Sequence, residues 1–208
     1  MSEAKAREIK ARIFETAVRL FARKSYGLVG VREIAKEAGV SISMISYHFG
    51  GKAGILQAII QRYFELFNAM FRDAVRDDDT FDENVRRFIA GFVNLIRRQR
   101  DLSMVWFSEL NNDIPEVHEL KLHHSRAMAT DANKLLGILG LDFNRDGEII
   151  NILGSAIIHM IYSHFISAPL LSDSPSPVIL DDAYYDRYVD ILTRLCLNGV
   201  GSAVADLD

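Results

Sequence analysis

Between Val31 and Lys52 the chain reads VREIAKEAGVSISMISYHFGGK, and this stretch restricts the possible folds more than any other. Val31, Ile34, Ala35 and Ala38 recur at helical spacing, with Arg32, Glu33, Lys36 and Glu37 on the opposite side. Gly39 follows the last apolar position, where a glycine takes the left-handed backbone that ends a helix. Ser41 comes next, placed to cap a second helix by accepting an amide hydrogen bond. Ala35 is small enough to let the two helices approach, while Val40 and Ile45 form the apolar side of the second. Two short helices made to cross by a tight turn predict a helix-turn-helix, a unit that places its second helix in a DNA groove. A corner in an ordinary helical protein would share the helix, the glycine and the second helix. What favours DNA is the second helix's outer surface: short polar residues, the Tyr47–His48 pair and a following Lys52.

Charge is distributed to match. Up to residue 52 the chain holds ten basic residues (Lys5, Arg7, Lys10, Arg12, Arg19, Arg23, Lys24, Arg32, Lys36, Lys52) against five acids (Glu3, Glu8, Glu15, Glu33, Glu37). The remainder is acidic enough to bring the whole chain to a net charge of −4. A basic head suits contact with phosphates, whose binding is driven by counterion release, and an acidic body is repelled by the same surface.

With 208 residues and 49% hydrophobic content, the chain can bury a substantial core, which excludes disordered and collagen-like classes. Cys196 is the single cysteine, so no intrachain disulfide forms, and the expected setting is reducing and cytoplasmic. The charged N-terminus lacks the apolar core of an export signal. Ile149 to Leu171 is apolar enough to raise the question of a membrane span, but Asn151, His159 and His164 would be costly in lipid. No membrane association is expected, and the segment reads as a helix buried in the core or against another subunit.

Helical periodicity continues through the chain. Ile9, Ile13, Phe14, Ala17, Leu20 and Phe21 form one stripe ahead of the motif, closing a three-helix head. Lys52 opens a long helix with Leu56, Ile60, Tyr63, Phe67 and Phe71 on one side, ending near the acidic run at Asp77–Asp79. Further helices are predicted over Phe81–Gln99, Asp101–Asn112, Pro115–Leu139, Arg145–Ser167 and Asp182–Asn198, with a Pro- and Ser-rich loop from Ala168 to Asp181. The predicted fold is all-α with about nine helices: a helix-turn-helix DNA-binding domain over residues 1–51 and a helical ligand-binding and dimerisation domain over residues 52–208.

These residues resemble the TetR family of transcriptional regulators. The resemblance rests on Ile13, Ala17, Leu20 and Phe21, then Tyr26, VREIAKEAGVS, and the closing Tyr47, His48, Phe49 and Lys52. The hydroxyl common in that family near Val29 and Gly30 is absent, leaving a glycine cap. The resemblance implies a homodimeric repressor, its two heads in successive major grooves of a double-stranded DNA operator, released or retained by a small-molecule effector. Ser43, Met44, Ser46 and Tyr47 are then expected at base edges, with Arg32, Ser41, His48 and Lys52 at phosphates. Phe49 reads as a packing residue.

An aromatic set with scattered polar groups, Met104, Trp106, Phe107, Leu110, Asn111, His123, Tyr162 and Phe165, is the candidate effector site, although aromatic residues at helical spacing also build ordinary core. Ile150, Leu153, Ile157, Ile161, Tyr188, Ile191, Leu192 and Leu195 are the candidate dimer contacts. No cofactor or metal site is expected: Glu109, Glu116, Glu119 and Glu148 are not followed by histidine three places on, and His-Glu-x-x-His does not occur. Neither Gly-x-Ser-x-Gly nor a phosphate-cradling glycine loop is present, so an enzyme is not expected. The remaining alternative is an all-helical ligand-binding or adaptor protein without DNA binding.

Overall fold

The computed structural model describes residues 2–76, 78–110, 112–137, 143–172 and 179–198. Among the described residues there are nine helices and no strand: α1 (Glu3–Lys24), α2 (Val31–Ala38), α3 (Ile42–Phe49), α4 (Lys52–Ala74), α5 (Phe81–Arg98), α6 (Arg100–Glu109), α7 (Pro115–Gly137), α8 (Phe143–Ser172) and α9 (Asp182–Asn198). The chain forms two compact units, one of residues 1–66 with 99–127 and the other of residues 67–98 with 128–208. This division differs from the boundary expected at residue 51. The reason lies in α4, whose Ile55, Leu56, Ile59, Ile60 and Phe64 are fully buried and continue the core of the head.

In the first unit, α1 contributes the expected stripe: Ile9, Ile13, Ala17, Leu20 and Phe21 are buried, and Phe14 lies at its half-buried margin. Ile34, Ala35 and Ala38 of α2 and Ile45 of α3 complete this core. The turn between α2 and α3 is built as the sequence predicts. Gly39 has φ 62° and ψ 41°, its amide donates to the Lys36 carbonyl, and the Val40 amide donates to that of Ala35 at 2.9 Å. This is a Schellman stop, which satisfies carbonyls that the helix end would otherwise leave open.

Trp106 of α6 stacks on Tyr63 at 5.5 Å and meets Phe64 edge-on at 4.6 Å, while His124 of α7 stacks on Phe64 at 3.9 Å. His124 is 5% exposed and its Nε2 lies 3.2 Å from Gln61 Oε1.

In the second unit, α5 and α9 pack together. Val85, Ile89, Phe92, Val93 and Ile96 are buried, and Phe92 meets Phe67 and Tyr162 edge-on. Ion pairs Arg86–Asp190 and Arg97–Asp182 flank this seam. Exposed pairs contribute about 0.2–1 kcal/mol each, whereas burying one phenylalanine contributes about 1.5–3 kcal/mol, so the apolar face holds the helices and the pairs set their register. α5 begins with a capping box: Glu83 N–H donates to Thr80 Oγ1, and Glu83 Oε2 accepts from the Thr80 amide.

One helix exceeds its expected length. α8 runs through Pro169 to Ser172 instead of stopping before Ala168. A proline removes only one amide donor, and Phe165 and Ala168, 2% exposed each, keep this part of the helix packed.

Ser25 is the single non-glycine residue with positive φ among the described residues, at φ 61° and ψ 158°. That region is nearly confined to glycine and costs about 1–3 kcal/mol. Glycine there relieves the strain but loses about 0.5–1 kcal/mol more entropy on folding, so Ser25→Gly should stabilise the protein by about 1 kcal/mol. Gly39→Ala, at a left-handed position, should destabilise it by about 1–2 kcal/mol. Urea unfolding of both variants measures the two signs. Burial first, then the neighbouring His123, holds the His124 imidazole below its ordinary value of 6.5. The unfolded chain therefore binds a proton that the folded one resists. This stabilising contribution is whole above 6.5 and declines as the pH falls below it. Thermal unfolding should show a smaller loss of Tm between pH 7.5 and pH 5 in His124→Gln than in the unaltered chain.

Candidate nucleic-acid interface

α3 has eight residues and buries a single side chain, Ile45. The rest of its surface faces outward: Ser43 and Ser46 are exposed, Tyr47 is 75% exposed, and Met44 and His48 are half-buried at the edges. Thus the residues expected at base edges share one open surface. The expected packing role of Phe49 agrees with its half-buried ring beneath the Lys10 ammonium, 5.6 Å from the ring centre. Tyr47 and His48 meet edge-on at 4.9 Å.

The C-terminal end of α3 is set by glycine. Gly50 at φ 72° and Gly51 at φ 120° reverse the chain into α4. Gly54 then lies so close to the end of α3 that a Cβ on it would sit 1.7 Å from the Phe49 carbonyl oxygen. A side chain at residue 54 would force α3 and α4 apart.

Two expectations change. Ser41 stands at the N-cap position of α3, but its side chain makes no capping bond. Its hydroxyl instead pairs with that of Ser43 at 2.7 Å, since a second hydroxyl two residues on competes for it. Lys52 was expected at phosphate, but its ammonium turns inward. It donates to the carbonyls of Tyr26 at 3.1 Å and Val29 at 3.0 Å and lies 4.0 Å over the Tyr26 ring. Two of its three donors are therefore committed to fastening the turn between α1 and α2.

On the adjoining surface, Glu33 pairs with Lys24 and Glu37 with Arg19, so both acids of α2 are matched by bases of α1. Arg32 and Lys36 are exposed and form no ion pair among the described residues. The field outside α2 is accordingly positive. α2 itself starts at Gly30 without a side-chain cap.

The expected effector residues are shared between the two units. Met104, Phe107 and Leu110 are half-buried in the first unit, where Trp106 is 6% exposed and belongs to the aromatic core. Tyr162 and Phe165, 0% and 2% exposed, are core residues of the second unit. His123 is exposed and His124 buried, because the apolar stripe of α7 runs through Val117 and returns to the core seven residues later. Asn111 lies outside the described residues. A groove of about 90 Å³ between α5 and α9, lined by Arg86, Arg97 and Tyr185, is well below the roughly 300–1,000 Å³ of a drug-sized site.

The expected dimer contacts also divide. Ile161 is 0% and Leu192 4% exposed within the chain; Ile157, Tyr188, Ile191 and Leu195 are half-buried. The side chains of Ile150 and Leu153 lie outside the described set. No helix among the described residues is long and apolar enough to cross a membrane, and no cluster of metal-binding side chains occurs among them.

Glu109 is a residue that sequence reasoning missed. It is 1% exposed, accepts the Tyr26 amide at 3.0 Å through Oε1 and Asn112 Nδ2 at 2.7 Å through Oε2. The available signal was a carboxylate inside the otherwise apolar run Met104–Leu110. Tyr26 is pushed above its ordinary phenol value by burial, then by Glu116 and Glu109.

Residues 13–59 match the model of the bacterial regulatory proteins of the tetR family. A probable HTH-type transcriptional regulator of Bacillus subtilis, YttP, is 28% identical over 113 residues, which cover 53% of this chain and 55% of that protein. The match thus spans about half the length of this curated relative. Among solved structures, a TetR-family transcriptional regulator from Bordetella parapertussis 12822 superposes with a TM-score of 0.73 at 17% identity, covering 92% of this chain and 95% of the other. FadR from Bacillus subtilis, solved in complex with stearoyl-CoA, gives 0.67 at 19% identity over 91% and 98%. At these identities the structures show a shared fold. The matched segment spans α1 from Ile13, the helix-turn-helix and the start of α4, so the chain carries the N-terminal domain of the tetR family of bacterial regulatory proteins.

Proposed function

We propose that this protein is a sequence-specific DNA-binding transcriptional regulator, acting in the cytoplasm as a homodimeric repressor whose hold on its operator is set by a small-molecule effector. The observation that carries this reading is α3, a short helix anchored by one buried residue that offers Ser43, Met44, Ser46 and Tyr47 on its outer side. A surface of this kind fits the major groove, with Met44 able to meet a thymine methyl and the hydroxyls able to meet base edges. Arg32 and Lys36 supply phosphate contacts beside it, and the N-terminus of α3, which no side chain caps, adds partial positive charge.

The dimer reading is supported by the outer face of α8. Ile152, Ala156, His159, Ser163, Ile166 and Leu170 are all exposed and alternate at spacings of four and three, with no charge among them. That is the pattern of a helix that packs along a second helix. A matching stripe on the other copy would cover Ile152, Ile166 and Leu170, now 59%, 54% and 74% exposed.

Effector control is supported by α4, which belongs to both compact units and so connects a ligand-bearing body to the head. The same fold in FadR accepts stearoyl-CoA, so an effector with a long apolar portion suits it. Control requires that the effector bind one arrangement of the heads more tightly than the other.

DNA selected from a random pool on the unaltered protein provides the test. Tyr47→Ala should change base preference, discrimination falling by about 1–3 kcal/mol for each base that is no longer read. Arg32→Ala should weaken all sequences alike and reduce the salt slope by about 0.9 for each phosphate that is no longer neutralised. Unchanged preference in Tyr47→Ala would remove α3 from the readout. Ile166→Glu with Leu170→Glu should convert a dimer to a monomer in sedimentation; a wild-type monomer at micromolar concentration would contradict the dimer.

A further inference from the structure

The turn between α1 and α2 is held in an unusual way. Its first residue, Ser25, has φ 61° and ψ 158°, and the residue that follows is held at both its amide and its carbonyl. The Tyr26 amide donates to the Glu109 carboxylate at 3.0 Å, and the Tyr26 carbonyl accepts from the Lys52 ammonium at 3.1 Å. Lys52 also takes the Val29 carbonyl, next to Gly30, where α2 begins. An anion on the amide and a cation on the carbonyl both align with the dipole of the segment between them.

Glu109 is a costly choice for this place. It is 1% exposed and forms no ion pair among the described residues; its two carboxylate oxygens take one neutral donor each. If α6 had only to pack on α1, an apolar side chain would do so without desolvating a charge. Glu109 also sits at the end of α6, where Lys121 of α7 donates to the carbonyls of Glu109 and Asn112. The position of the carboxylate therefore follows α6 and α7, while its grip is on the turn that leads into the helix-turn-helix.

We infer that Glu109 is a positioning residue for DNA binding: it holds the strained Ser25–Tyr26 turn, sets the approach of α2 and α3, and makes that approach depend on the end of α6. This rests on the DNA-binding reading. A ligand that displaces α6 or α7 withdraws the carboxylate from Tyr26 and frees the turn without touching α3.

The test uses the full chain with Glu109→Leu and Glu109→Gln, the DNA selected on the unaltered protein, and amide hydrogen exchange over residues 25–30. Glu109→Leu should keep or raise Tm, speed exchange at Tyr26 at least tenfold, and lower DNA affinity about tenfold with the salt slope unchanged. Glu109→Gln keeps one acceptor for the Tyr26 amide and should fall between the two; it carries the comparison if the leucine variant does not fold. A residue that merely packs would lose Tm and affinity in parallel. Wild-type exchange and affinity in a folded variant would overturn the inference. If the unaltered protein retains no DNA, the regulator reading itself fails, and the exchange at Tyr26 still separates a gripped turn from a free one.

Discussion

A helix of eight residues cannot hold itself together in water, and α3 buries only Ile45. Fixing eight residues costs about 1–2 kcal/mol of backbone entropy each, against about 1.5–3 kcal/mol from one buried isoleucine. The difference must come from what α3 is attached to. At one end the Schellman stop at Gly39 turns the chain from α2, and at the other Gly50 and Gly51 bring it into α4, whose Gly54 abuts the Phe49 carbonyl. α3 is thereby a passenger on α2 and α4, and its outer residues are available because none is needed to hold it.

That arrangement transfers the burden to the turn between α1 and α2. Because α2 is itself eight residues long and starts at an uncapped Gly30, its placement depends on the segment before it. Tyr26 and Val29 of that segment are gripped, Tyr26 from α6 by Glu109 and both from α4 by Lys52. The apolar core of α1 and α4 supplies the stability, and the two charged side chains decide direction. This division of roles explains why a lysine that looks suited to phosphate is turned inward. Its long stem reaches the carbonyls of a loop more than twenty residues earlier in the chain.

Much of the fold was legible because helical periodicity is local. The stripe Ile9–Phe21, the stop at Gly39 and the limits of α5 and α9 follow from spacing and from residues with restricted backbone behaviour. What was not legible depends on the phase of a helix relative to a partner. On α7 one residue, about 100° of rotation, separates exposed His123 from buried His124. On α8 the same dependence separates Ile161, which lies in the core, from the exposed seam through Ile152, His159 and Ile166. Trp106 could not be divided between core and pocket until Tyr63 and Phe64 were seen against it. Glu109 escaped because the value of a buried carboxylate lies in a donor 83 residues away.

Operator recognition by this chain requires α3 to be an outward-facing helix delivered in pairs to DNA. Hydroxyl-radical footprinting of the protein on its selected DNA tests this most directly. Two protected tracts are predicted on one face of the duplex, centred about 34–36 Å apart, one helical turn. Even protection along any sequence, or one tract alone, would contradict it.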